Sequence, residues 1–144
     1  MSMSSPAVGV KDLLVAASMG TFGGTSGWSI NVGKLPTTPD TAIACVVTGG
    51  LPPSPKWLLN QPSVQVMIRG KANGYVDAEN KARAIVDALL GAPTQTVGGD
   101  FWGGITQIGD VVHAGYDETN RPLFTCNFSI IVEPKAGGHR QSMS

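Results

Sequence analysis

The stretch Ser63-Val64-Gln65-Val66-Met67-Ile68-Arg69-Gly70 decides the fold. Its apolar and polar residues alternate, which is the period of a strand. Val64, Val66 and Ile68 lie on one face, and Gln65, Met67 and Arg69 on the other. Gly70 and Gly74 bracket a short loop, after which residues 75–90 read as an amphipathic helix. Ala78, Ala82, Ile85, Val86, Leu89 and Leu90 recur at three- and four-residue steps and form one stripe. Asp77, Glu79, Lys81, Arg83 and Asp87 take the opposite side. Asp77 with Lys81, and Glu79 with Arg83, put the acid four residues before the base, worth about 0.2–0.5 kcal/mol per pair on an isolated helix. Gly91 is placed for a left-handed C-terminal position, and Pro93 bars continuation.

Working outward, Ser5-Pro6 starts a second helix over residues 6–18, with Val10, Leu13, Leu14 and Ala17 as its stripe. Residues 28–32 alternate as a half-buried strand, and residues 41–47 form a continuous apolar one. Residues 34–40 read as a turn or loop, and the two consecutive strands are expected to be antiparallel neighbours. Residues 92–104 read as a loop with Phe101-Trp102 embedded. Residues 105–113 read as a strand bulged near Gly109, and residues 114–122 as a turn-rich link. Residues 123–132 form a long strand whose apolar face is Phe124, Cys126, Phe128, Ile130 and Val132. The sum is an α+β fold: a single mostly antiparallel sheet of about five strands with two helices packed on one face. Residues 1–133 are expected to form one domain, and residues 134–144 a flexible polar tail.

Chemistry is sparse. Ten basic and ten acidic residues give zero formal net charge, so no global attraction to nucleic acid or an anionic membrane is expected. Charged residues are 14% of the chain, below the roughly 25% usual for soluble domains, which hints at a surface partly covered by partners. Cys45 and Cys126 lie in apolar runs without a Cys-x-x-Cys pair and read as buried free thiols. No signal peptide and no apolar run of about 20 residues is visible, so a soluble protein made in a reducing cytoplasm is expected. His113 and His139 have no partner at ligand spacing. The glycines of residues 19–27 lack the Lys-Ser/Thr of a phosphate loop and read as a flexible turn. In residues 48–62, Pro52, Pro53 and Pro55 preclude regular structure. The Trp57-Leu58-Leu59 triplet that follows either folds back on its own core or packs against another subunit. Arg69 and Arg121 sit at strand ends, where bidentate pairing could fix a subunit register. The candidate contacts to another subunit or partner are Trp57, Leu58, Leu59, Arg69, Phe101, Trp102, Asp117 and Arg121.

Two signatures occur in order. One is Val66-Met67-Ile68-Arg69-Gly70, then Tyr75 and a helix with Ala78 and Ala82 that ends Leu89-Leu90-Gly91. The other is Asp117-Glu118-x-Asn120-Arg121-Pro122-Leu123-Phe124, leading to Asn127-Phe128-Ser129-Ile130-Ile131-Val132. Together, over residues 28–133, they resemble the tail terminator and minor capsid proteins of long-tailed bacteriophages. The Gly-rich stretch and the Trp57 loop match nothing in that pattern. The resemblance implies a virion protein at the head–tail junction, made in the host cytoplasm. Its subunits would form a hexameric ring that caps the tail tube, halts polymerisation and meets the head connector protein. It implies no catalytic residue, metal or cofactor, no membrane, and DNA passing through the lumen without specific binding. The rival readings are a head-side connector or stopper or another tail completion protein, and a small-ligand or hydrolytic domain using the glycines of residues 20–27.

Overall fold

In the computed structural model, which describes residues 5–51 and 60–133, the strand read first lies mid-sheet. The elements in chain order are α1 (Pro6–Ala16), β1 (Thr21–Phe22), β2 (Ser29–Val32), β3 (Ala42–Leu51), β4 (Gln61–Arg69), α2 (Tyr75–Leu90), β5 (Gln95–Val97), β6 (Asp100–Tyr116) and β7 (Pro122–Glu133). Among the described residues the sheet has seven strands in the order β1-β2-β3-β4-β7-β6-β5. From β3 to β5 the neighbours are antiparallel, whereas β1, β2 and β3 run parallel.

Alternation places the core. Val64, Val66 and Ile68 are fully buried on β4, as are Cys126, Phe128 and Ile130 on β7. Register sets them in rows: Ile43, Ile68 and Phe124 form one, and Cys45, Val66 and Cys126 the next. Val10 and Leu14 of α1 and Ala78, Ala82, Ile85 and Leu89 of α2 close over that same face in one cluster. The small side chains of Ala78 and Ala82 let α2 approach the strands closely. Both cysteines are free and buried. Desolvation pushes each thiol up to about 12, as expected of a thiolate denied water. The other face is half-buried and polar, with Gln65, Asn127 and Ser129 in neighbouring strands. Gln65 Nε2 donates to Asn127 Oδ1 across them at 3.4 Å.

Several expectations are overturned. The sheet is neither of about five strands nor mostly antiparallel; it is a curled, mixed, seven-stranded sheet, and the chain is mostly β, at 48% strand. β2 and β3 are neighbours, but parallel. Residues 33–41 do not turn the chain as a hairpin. They carry it back along the sheet, so that Ser29 pairs with Ala42 and Val32 with Cys45. Residues 95–104 are not loop, because β5 pairs with the start of β6. β6 then runs on to Tyr116, with register shifts after Trp102, Ile108 and His113. Gly109, at φ +72°, lies in the middle shift, where a glycine admits the left-handed backbone of a bulge. Residues 21–22, inside the Gly-rich stretch, form the short edge strand β1. Gly91 is right-handed, at φ −83°, so Pro93 rather than a left-handed cap bars further helix.

Candidate functional site

Arg69 ends β4 and is buried, 4% exposed as a residue. By alternation it lies on the face opposite the helices. Its Nε donates to the Asp40 carbonyl at 2.9 Å and its Nη2 to the Pro39 carbonyl at 2.7 Å. Burial first, and then the nearby Arg121 charge, draw its pKa down, with Asp117 and Asp40 opposing. Arg121 precedes β7. Its Nε donates to Asp117 Oδ2 at 2.7 Å, and its Nη1 to the Thr37 carbonyl at 2.9 Å and to Asp40 Oδ1 at 3.1 Å. Two guanidinium forks thus hold the 33–41 crossover from beneath, a task a point-charge lysine performs poorly. Asp117 in turn accepts from the Arg121 and Thr119 backbone N–H groups and the Thr119 hydroxyl. Desolvation pushes its carboxyl up, but these bonds and the Arg121 guanidinium outweigh it and hold the pKa at about 2. The structure therefore gathers Arg69, Asp117 and Arg121 into one clamp.

Phe101 and Trp102 sit at the other end of the sheet, opposite Glu133 and Val132. Phe101 is 44% exposed, while Trp102 is buried and packs on Gly9 of α1. Trp57, Leu58 and Leu59 lie outside the described residues, as do residues 134–144 with His139. Asn60, next along the chain, exchanges two backbone hydrogen bonds with Val132. His113 is set among aromatic rings: Tyr75 at 4.9 Å, Phe124 at 5.0 Å and Tyr116 at 5.1 Å. Among the described residues no group of three or more His, Cys, Asp or Glu is placed to hold a metal. A cleft of about 420 Å³ opens between α2 and the start of β3, lined by Trp28, Thr41, Lys71, Asp77, Asn80 and Lys81. The Lys81 ammonium lies 5.3 Å from the Trp28 ring centre, and desolvation lowers its pKa.

The sequence reading missed the sheet edges. β5 covers β6 only at residues 100–102, and β2 covers β3 only at residues 42–45. Among the described residues, nothing pairs with the outer side of β6 at 103–116 or of β3 at 46–51. Ile108, Val112 and Tyr116 on β6 are about half exposed, as are Val47 on β3 and Phe22 on β1. The one charge on the open part of β6, Asp110, is engaged by Arg83 at 3.3 Å. Open edges normally carry lysines, prolines or a covering element; these carry apolar side chains. The signal in the sequence was the length of the glycine-punctuated run from Asp100 to Tyr116.

No curated protein matches the chain. The sequence pattern of a family described as bacteriophage tail terminator protein matches residues 13–134. That span takes in the end of α1, every strand among the described residues, α2, the crossover and its clamp. The chain therefore belongs to the bacteriophage tail terminator family and is a structural protein of the phage tail.

Proposed function

We propose that this chain is the repeating subunit of a hexameric ring at the head–tail junction of the virion. The ring caps the tail tube, stops its polymerisation and presents its other side to the head connector protein. The family match across residues 13–134 carries this reading. The two open sheet edges support it, because a ring is built from unlike contacts whose rotation closes. The low charge and the exposed apolar side chains suit a subunit covered on several sides. Phe101, with Trp57, Leu58 and Leu59, supplies apolar contacts to the neighbouring subunit or the tube. Arg69, Asp117 and Arg121 shape the crossover that those neighbours meet. Zero net charge fits DNA passing through the lumen without specific binding.

Mass photometry and negative-stain microscopy of the purified protein, alone and with isolated tail tubes, test the reading. The expected result is a ring-sized species that attaches to tube ends. A strictly monomeric protein in both settings would contradict it. Attachment to filled heads but not to tubes would make it a connector or stopper instead.

A further inference from the structure

The cleft beside α2 holds an unanswered charge. Its sides come from elements whose positions the sheet fixes. Trp28 and Thr41 immediately precede β2 and β3, where Ser29 pairs with Ala42. Lys71 follows Gly70 past the end of β4, where Arg69 pairs with the same Ala42. Asp77, Asn80 and Lys81 come from the first turns of α2. Gly70 lets the helix close in, since a Cβ there would stand 2.9 Å from that of Ala78. The walls are thus set before anything binds. The volume of about 420 Å³ falls within the roughly 300–1,000 Å³ of ligand sites.

Lys81 is the group to explain. It lies four residues after Asp77, the spacing of an ion pair along a helix. Among the described residues that pair is not formed, whereas Glu79 and Arg83 form theirs at 3.4 Å. The Lys81 ammonium instead lies over the Trp28 ring, 5.3 Å from its centre. Lys11 gives the contrast: its ammonium lies 4.4 Å from the Phe22 ring centre and also meets Asp12 at 2.6 Å. Lys81 has the ring and no acid. Among the described residues neither Lys71 nor Lys81 pairs with a carboxylate, and the Asn80 side chain makes no hydrogen bond. Asp77 sits in the first turn of α2, where an acid answers the helix's own N-terminal partial charge. Burial takes part of the water from the Lys81 ammonium, so an anion beside it is attracted more strongly than at an open surface.

The charges decide what fits. Two lysines and one aspartate leave a single positive charge, the complement of one carboxylate rather than of a run of phosphates. A nucleobase would need the ring face that the ammonium covers. Lys71, Asp77 and Asn80 are exposed at the rim, open to a side chain reaching in from a covering protein. We propose that this cleft is a docking site for one aspartate or glutamate side chain on a loop of a partner protein. Lys81 and Lys71 hold its carboxylate, and the Asn80 amide meets its backbone. The site goes beyond the ring reading and does not depend on it, because a monomer would bind the same side chain.

The test follows the indole N–H peaks of the full chain carrying isotope-labelled tryptophan, the Trp28 peak being the one lost in Trp28→Phe. The probe is N-acetyl-glutamate N-methylamide, whose only charge is the side-chain carboxylate. It is expected to shift the Trp28 peak saturably, and its uncharged glutamine analogue to leave that peak still. Lys81→Gln is expected to weaken the probe about tenfold, the worth of one charge-assisted hydrogen bond. Lys71→Gln is expected to weaken it less, and Lys34→Gln, beyond the far end of β2, to change nothing. Acetate, which lacks the backbone amides, is expected to bind more weakly than the probe. No shift with the probe, an equal shift with the glutamine analogue, or equal affinity in Lys81→Gln and wild type would overturn the site. Acetate binding as tightly as the probe would make it a site for small acids. Inorganic phosphate or oligothymidylate binding more tightly would make it a phosphate site. Either result overturns the protein occupant. None of these results touches the ring, and a monomeric protein that binds the probe would lose the ring and keep the cleft.

Discussion

Arg69 is where the chain and its fold meet most economically. At the sequence level it is a lone cation at the end of an alternating strand, readable equally as a subunit contact or an internal tie. The structure turns it inward onto two carbonyls of a crossover whose existence the sequence does not announce. Nothing in residues 33–41 distinguishes a loop that reverses the chain from one that carries it back along the sheet; the deciding bonds come from 30 and 81 residues away. Arg69→Ala is expected to destabilise the monomer by about 2–3 kcal/mol, the worth of charge-assisted hydrogen bonds lost from a buried site. Urea unfolding measures it, and limited proteolysis should then cut first within residues 33–41. Asp117 makes a prediction in pH. Its carboxyl titrates at about 2 in the fold, against an ordinary value of 3.8. Its bonds thus contribute fully above the ordinary value and are lost as pH falls toward 2. Asp117→Asn is expected to be less stable than wild type above pH 4, with the gap closing toward pH 2 in thermal melts.

Among the elements, those with strong periodicity were legible. α2 and the inward faces of β4 and β7 follow directly from spacing, since Val64, Phe128 and Ala82 have nowhere else to go. Short edge strands were not. β1 and β5 have two and three residues, too few for a period, and form only because a longer strand is already beside them. Helix α1 shows how packing overrules propensity. Gly9 lies in its interior, where alanine would favour helix by about 1 kcal/mol. A Cβ there would run into the buried Trp102 ring. Gly9→Ala is therefore expected to lower stability by about 1–3 kcal/mol, the usual cost of overpacking. Gly9→Ala combined with Trp102→Leu should show less than the sum of the two losses in denaturant unfolding. The row of Cys45, Val66 and Cys126 offers a probe of the sheet. With both thiols pushed up to about 12 and shielded, neither should react with a thiol reagent at pH 8 until the sheet opens. Labelling followed by mass spectrometry should report the two cysteines reacting at rates set by that opening.

At the scale of the whole molecule, the sequence was most informative about what the protein is and least about how its surface is used. The ordered pair of motifs around β4–α2 and the start of β7 pointed to the family that the match across residues 13–134 establishes. The open edges escaped notice because exposure is a property of what fails to pair, and no residue records its missing neighbour. The stretches 46–51 and 103–116, unpaired on their outer sides among the described residues and carrying apolar side chains, suit a subunit that packs against others in an assembly. The claim at the centre is that this unit caps the tail tube. The direct measurement is electron microscopy of tail-tube protein polymerised with and without this chain. The account predicts a ring at one end of each tube and arrested growth. Tubes that lengthen unchanged and carry bare ends in its presence would contradict it.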